Sequence, residues 1–523
     1  MAVGFILRWV WWCAAAAVAW VVWRAAVWLY LRPGRLERAL RAQGLQGSRY
    51  RFPYGDLKVD AKLVREAHRK PIPLSDDIVR RVAPHVHRRL ELYGGKSKMS
   101  FGWFGPIPRV IIMDQEIVRD ILSNKFGHFE KPRGTPIGRL LVLGLVSYEG
   151  EKWAKHRRII NPAFHVEKLK RMMPSFSICC DELIRRWEEF IGSTGKYDLN
   201  VWPELQRFTG DVISRTAFGG SYKDGQRVFE LQREQAELLI QSAQNLYFPG
   251  FRFLPTQTNR RRKVIYREVV TLLSSIIERR RKAMKNGEAS TDDLLGMLMA
   301  SNARHSQEQG EHSQDLRLTT DDVIEECKLF YFAGQETTSV LLTWTLVLLS
   351  MHPSWQEQAR EEVFQVFGKS KPDFDSLSQL KIVTMILYEV LRLYPPVAFL
   401  VRQTYKEMKL GGISFPPGVQ LLLPIIFIHH SKELWGEDAE EFNPERFADG
   451  VSKATKNRLI FFPFGWGPRI CIGQTFALTE AKLGLARILQ RFSIELSPSY
   501  AHAPYTVITL QPQYGAQLIL HKL

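Results

Sequence analysis

Cysteine is scarce in this sequence: Cys13, Cys179, Cys180, Cys327 and Cys471 are the five in 523 residues. Their number is odd and none stand in C-x-x-C spacing, while the adjacent Cys179 and Cys180 suit neither a mutual disulfide nor a zinc site. A disulfide framework is therefore excluded, and the bulk of the chain belongs in a reducing compartment. Negative charge is also short, with 54 acidic residues against 72 basic ones and a net charge of +18. A basic balance suits nucleic acid, an anionic membrane surface or an acidic protein partner. The chain has no zinc finger, RNA-binding sheet signature or recognition-helix motif, so nucleic acid is not the partner. No G-x-G-x-x-G follows a strand, so the chain has no flavin or nicotinamide site of its own. Internal repeats are absent, and no clean linker divides the body of the chain.

Long apolar runs are absent except for one. Trp9 to Leu31 is apolar apart from Arg24 and is long enough to span a bilayer as a helix. Trp9, Trp11, Trp12, Trp23, Trp28 and Tyr30 put aromatic residues near both ends, as an interfacial belt requires. Arg32, Arg35, Arg38, Arg41, Arg49 and Arg51 follow it, whereas only Arg8 and the amino terminus precede it, which places the bulk of the protein in the cytosol. A cleaved secretory signal would use Ala14 to Ala17, but the apolar run continues past them. The expected organisation is a membrane anchor at 1–31, a basic linker at 32–54 and a single domain at 55–523.

That domain reads as mainly α with small β-sheets, an α+β fold. Ser75 to Tyr93, Val166 to Phe190, Gln226 to Leu246 and Tyr266 to Lys285 carry apolar residues at helical spacing. Arg109 to Met113, Leu421 to Ile428 and Val507 to Leu510 read as strands. Asn302 to Asp315 is polar and predicts an exposed loop. Tyr247 to Pro255 is an aromatic loop, suited either to burial or to a second membrane contact.

The stretch from Phe464 to Gly473, F-G-W-G-P-R-I-C-I-G, surrounds Cys471 with small and rigid residues. A metal-binding thiolate needs its charge stabilised, and the backbone N–H groups of a glycine-rich turn and the following helix N-terminus can do this. Arg469 is a natural partner for the propionates of an iron porphyrin. Phe464, Gly467, Arg469, Cys471 and Gly473 fill every fixed position of F-x-x-G-x-R-x-C-x-G, and this pattern resembles the haem-ligand loop of the cytochrome P450 monooxygenases. The resemblance implies a cytochrome P450 fold, haem b as cofactor and Cys471 as the axial iron ligand, a thiolate that favours O–O cleavage.

Three further motifs follow the family order. Thr319 and Asp322 approximate a capping box for a helix that runs to about Met351, where Pro353 stops it. Its middle, Ala333-Gly334-Gln335-Glu336-Thr337-Thr338, resembles the family's oxygen-handling helix. There the glycine opens the helix for dioxygen, the threonine hydroxyl hydrogen-bonds the oxygen being activated, and the acid relays protons. Gly334, Thr337 and Glu336 take these roles by the resemblance. Glu389 and Arg392, one helical turn apart, resemble with Arg446 of Pro444-Glu445-Arg446-Phe447 the family's structural triad. Trp153 and Arg157 share a helical face and by resemblance meet a haem propionate, as does Arg402.

The resemblance also implies an apolar substrate pocket lined by Phe330, Phe332, Ala333, Val397, Ala398, Phe399, Leu400, Ile508 and Leu510. A basic cluster of Lys152, Lys155, Arg157, Arg158, Lys453, Lys456 and Arg458 would suit an acidic electron donor. By resemblance that donor is the membrane-bound NADPH–cytochrome P450 reductase, with cytochrome b5 as a further partner. NADPH then acts only through the reductase. The implied setting is the endoplasmic reticulum membrane, with lipid around a single span and the catalytic domain on the cytosolic side.

Arg32-Pro33, Leu45-Gln46-Gly47 and the stretch from Phe251 to Arg261 look most like the plant secologanin-synthase-like group. Its members oxidise terpenoids, among them triterpenes, iridoids and gibberellins. Cytokinin, fatty-acid and xenobiotic hydroxylases of the same fold stand beside this reading. So do a haem-thiolate isomerase or dehydratase and a non-catalytic haem protein. The intact Glu336 and Thr337 favour the monooxygenase.

Overall fold

The computed structural model describes residues 2–95, 98–124, 128–243, 251–287, 293–307 and 318–523. Its axis is the helix Thr320–Met351, whose 32 residues are buried on nearly every side from Val323 to Ser350. The capping box forms as its sequence requires: Asp322 N–H donates to Thr319 Oγ1 at 3.0 Å, and Thr319 N–H donates to Asp322 Oδ2 at 3.1 Å. His352 ends the helix, and Pro353 opens the next one, Pro353–Phe367. Helices Val201–Phe218, Lys381–Leu393 and Gln474–Leu489 pack against the central one. An all-round apolar helix of this kind belongs inside a large core.

A five-stranded sheet lies to one side, in the order Met99–Phe104, Ile107–Ile112, Gln420–Leu423, Leu400–Thr404, Phe129–Glu130. Ile107–Ile112 runs parallel to Gln420–Leu423, and the other pairings are antiparallel. Smaller sheets of two, three and two strands complete the β-structure of the described residues. A second apolar core joins the sheet to Leu459, Ile460 and Phe462, which lead into the Cys471 loop. The sheet thus fixes the approach to that loop.

The amino-terminal helix Ala2–Ala26 continues through a widened turn, Val27–Leu31, into the helix Arg32–Ala42. The segment is long and apolar enough to cross a membrane. Trp9, Trp11, Trp12, Trp20 and Trp23 point outward from it. Arg24 lies over the Trp20 ring, 5.2 Å from its centroid, which shields part of the charge. The segment at 32–54 packs onto the domain: Leu36, Leu40 and Leu45 are buried against the sheet, and Gly47 bridges to Phe101.

Several local expectations change in the structure. Ser75 to Tyr93 is two helices, Ile78–Val82 and Pro84–Tyr93, because proline disfavours the α conformation of the residue before it. Leu421 to Ile428 is not one strand; Pro424 ends it and Ile425–His429 is helical. Val507 to Leu510 is mostly the turn of a hairpin between Pro504–Thr506 and Leu510–Pro512. Asn302 to Gln307 is not loop but the end of the helix Leu294–Gln307, and residues 308–315 lie outside the described residues. Of the aromatic loop, residues 247–250 also lie outside them, while Phe253 and Leu254 are exposed.

Candidate active site

The Cys471 loop is built on tight backbone. Gly465 and Gly467 have φ of +74° and +69°, values that only glycine adopts without strain. At Gly467 a Cβ would also lie 2.4 Å from the Leu122 carbonyl oxygen. The loop closes through Cys471 N–H, which donates to Phe464 O at 2.9 Å, and the helix Gln474–Leu489 follows. Cys471 lies deep among protein atoms yet keeps its thiol accessible. Burial pushes that thiol's pKa up, while the Gly473 N–H and the charges of Arg157 and Lys131 favour its thiolate.

Arg157 and Lys131 act on this thiol, and Arg402 and Arg469 gather about Lys131. Arg157 Nη1 donates to Ile470 O at 2.9 Å, which ties the Gly150–Ile160 helix to the loop. Arg469 donates to Tyr148 O at 2.9 Å, pairs with Glu149 and lies 4.0 Å from the Trp153 ring centroid. Arg469 Nη1 is buried with no partner. Among the described residues the Arg402 guanidinium donates only to its neighbour's carbonyl, Val401 O, at 3.1 Å. Lys131 completes the group, its pKa driven down to about 7 by burial and by Arg402, Arg469 and Arg157. Burial lowers the pKa of both Arg402 and Arg469 to about 10, which leaves them cationic at neutral pH. A soft thiolate ligand ringed by under-neutralised cations fits a haem with two propionates. Cys471 would hold the iron, and Arg157, Arg402, Arg469, Lys131 and Trp153 would hold the propionate edge.

On the central helix, Thr337 Oγ1 donates to Ala333 O at 2.9 Å, so its lone pairs stay free to accept. Gly334 has a packing role as well, since a Cβ there would lie 2.7 Å from Ile213 Cγ1. Glu336 is buried, and its Oε1 accepts from Thr509 Oγ1 at 2.7 Å and from Gln511 Nε2. Burial raises its pKa; Thr509, Arg233, Gln511 and Gln206 oppose this. Glu336 borders a polar cavity of about 230 Å³, together with Arg233, Gln206, Phe332 and Ile508.

Of the expected pocket residues, Phe332, Ala333, Val397, Phe399, Leu400 and Ile508 are half-buried. The other three are taken into packing. Phe330 stacks on Phe164 with centroids 5.5 Å apart, Ala398 is buried, and Leu510 is fully enclosed with its carbonyl accepting from the Trp344 indole. Apolar character alone cannot separate a pocket wall from core.

Glu389, Arg392 and Arg446 come together. Arg392 pairs with Glu389 through two bonds of 2.6 and 2.7 Å, and Arg446 Nε stands 3.5 Å from Glu389 Oε1. Arg392 also donates to His429 O and Glu441 O, at 2.8 and 3.1 Å, so the triad fixes the segment before the Cys471 loop. The basic cluster is thinner than the sequence suggests. Lys152 pairs with Asp322 at 2.8 Å, Lys453 pairs with Asp449 at 3.4 Å, and Arg157 turns inward.

The sequence reading misses Lys131, Glu149, Thr509 and Gln511. Glu149 directly precedes the Trp153 helix, which is a usable signal; the others are brought in by tertiary folding. It also misses a buried clasp in which His156 Nδ1 meets Glu326 Oε1 at 2.6 Å and Leu145 N–H donates to Glu326 Oε2 at 3.1 Å. This clasp joins the Trp153 helix to the central helix.

Comparison with known proteins places these features. The cytochrome P450 family profile matches residues 82–518. Cytochrome P450 CYP72A616 of Paris polyphylla is 65% identical, over 97% of this chain and 98% of its own length. Cytochrome P450 72A397 of Kalopanax septemlobus is 56% identical, over 96% of this chain and 95% of its own. Secologanin synthase 1 of Catharanthus roseus is 49% identical, over 97% of this chain and 96% of its own. Among solved structures, retinoic acid-bound cyanobacterial CYP120A1 shares the fold with a TM-score of 0.75 at 22% identity, over 92% of this chain and 99% of that one.

Proposed function

The chain belongs to the cytochrome P450 family of haem-dependent monooxygenases, in the plant group that includes secologanin synthase, and from that premise we propose that it hydroxylates a terpenoid. A triterpene, an iridoid or a gibberellin fits the group. Electrons come from the NADPH–cytochrome P450 reductase, with cytochrome b5 as a second donor. The amino-terminal helix holds the enzyme in the endoplasmic reticulum membrane, with the domain on the cytosolic side.

The observation that carries the haem-thiolate chemistry is the cation group beside Cys471, with Arg157 and Lys131 acting on its thiol and Arg402 and Arg469 gathered about Lys131. Haem, once bound, supplies the activation of dioxygen. The chain supplies the rest. The cations hold the propionate edge and thereby the orientation of the cofactor. Burial shifts Glu336 toward its neutral form while the hydrogen bonds from Thr509 and Gln511 favour the charged one, so the carboxyl is placed to exchange a proton. Thr337 Oγ1, its proton engaged by Ala333 O, accepts a hydrogen bond on the open side of the helix. Half-buried Phe332, Ala333, Val397, Phe399, Leu400 and Ile508 offer an apolar wall for the substrate.

The test is NADPH-dependent turnover in microsomes with a plant reductase. The panel holds terpenoids, a cytokinin, a fatty acid and a herbicide, read by mass spectrometry. A terpenoid product that has gained one oxygen is the expected result. Oxidation of the other panel members alone would overturn the terpenoid reading and keep the reaction class.

A further inference from the structure

A second cavity, of about 160 Å³, lies between the sheet and the helices Leu57–Ala67 and Pro84–Tyr93. Leu57, Val64, Ile240 and Leu422 make much of its wall, and Asp60, His85, Arg89 and Arg109 converge on it. Its charges do not cancel. Arg89 Nη2 donates to both carboxylate oxygens of Asp60 at 2.6 Å and stands 3.5 Å from Asp56, which Arg51 also reaches. Among the described residues the hydrogen-bond partner of Arg109 is neutral: its Nε and Nη2 donate to Gln420 Oε1 at 3.0 and 2.8 Å, its guanidinium lies 4.2 Å from the Phe104 ring centroid, and Asp60, already paired with Arg89, acts on it only at longer range. Among the described residues no carboxylate comes within ion-pairing distance of it. Among the described residues His85 Nδ1 is buried without a hydrogen-bond partner, and burial with the nearby Arg89 and Arg109 pulls the His85 pKa down to about 3. The imidazole is therefore neutral and free to donate one N–H. One unpaired guanidinium and one unpaired imidazole, in a largely apolar pocket, leave a need for a single anion.

We propose that this cavity is a subsite for the carboxylate of an amphiphilic substrate, held by Arg109 and His85. The same helix and the same sheet border both this cavity and the candidate active site. Ala236 and Glu237 line the Glu336 cavity with Phe332, and Ile240, one turn further along the helix Tyr222–Ala243, lines this one. Across the sheet Ile111 pairs with Leu422, and Leu422 pairs with Val401, next to Leu400. An acid group seated at Arg109 leaves the apolar remainder to lie along that helix toward the central one. The proposal rests on a small molecule being oxidised at the Cys471 site and not on that molecule being a terpenoid.

The test is a substrate-binding titration of the haem-loaded enzyme, followed by its absorption change. The probes are abietic acid, hexadecanoic acid and the methyl ester of each. The wild type should bind an acid at least ten-fold tighter than its ester. Arg109→Gln should bring the acid down to the affinity of the ester and leave the ester unchanged, and Arg109→Lys should restore part of the preference. His85→Phe provides a second variant and should weaken the acid alone. Equal binding of acid and ester by the wild type, failure of both acids to bind, or an undiminished preference in Arg109→Gln would overturn the subsite. A preference seen with hexadecanoic acid but with no binding of abietic acid would keep the subsite and count against the terpenoid reading.

Discussion

Thr337 and Glu336 are neighbours in sequence but meet different surroundings. Thr337 is half-buried and bonded back to its own helix, while Glu336 is buried beside Thr509 and Gln511. Thr337→Ala removes the hydroxyl and leaves the helix backbone as it is. It should raise NADPH consumption per product formed, checked by measuring both in one assay; unchanged coupling would remove the assigned role. Glu480 offers a pH test. It is fully buried on the helix after the Cys471 loop, and burial raises its pKa well above the ordinary value, with Thr338 offsetting this in part. Below the unfolded carboxyl pKa both states carry the proton and Glu480 has no pH-dependent effect. As pH rises above it, the unfolded chain gives up its proton first, and stability declines. Glu480→Gln should therefore flatten the fall of Tm as pH rises above the ordinary carboxyl pKa of about 4.3 and leave the pH dependence below it unchanged. The motif residues were legible from sequence because their spacing is local. Lys131, Thr509 and Gln511 were not, since each reaches the site only through tertiary folding.

At the scale of elements, the helix Thr320–Met351 was readable almost to the residue, because a capping box and a proline mark its ends. Val166–Ile191 was equally plain, although it carries Pro174 inside it. One error fell where an apolar run carries no period, at Leu421 to Ile428, where only Pro424 separates strand from helix; another fell at Asn302 to Gln307, where polar composition hid the end of a helix. The pairing of Glu389 and Arg392 followed from their spacing, but the carbonyls of His429 and Glu441 that complete it lie far along the chain. Both side chains are fully buried. Glu389→Gln should therefore cost about 3–5 kcal/mol, because it leaves Arg392 with an uncompensated charge. Thermal unfolding measures this, and a loss below about 1 kcal/mol, the scale of a surface pair, would contradict it.

On the scale of the whole molecule, the site draws on three elements far apart in sequence: the central helix, the five-stranded sheet and the Cys471 loop. The clasp of His156 on Glu326 ties the Trp153 helix to the central one. Arg158 and Lys456 of the basic cluster remain exposed, and the proposed docking of an acidic donor is tested there. Arg158→Glu should raise the KM for the reductase and leave kcat at saturating reductase near wild type, with the difference shrinking at high salt. An unchanged KM would remove this face from docking.

The central claim is that Cys471 is the thiolate ligand of a haem whose propionates meet the surrounding cations. The most direct measurement is the carbon monoxide difference spectrum of the reduced protein, taken for the wild type and for Cys471→His. The wild type should show the red-shifted Soret band of a thiolate-ligated haem, and the variant should lose it while any haem it retains absorbs as an imidazole complex. A wild type without that shift, or a variant that keeps it, would contradict the account.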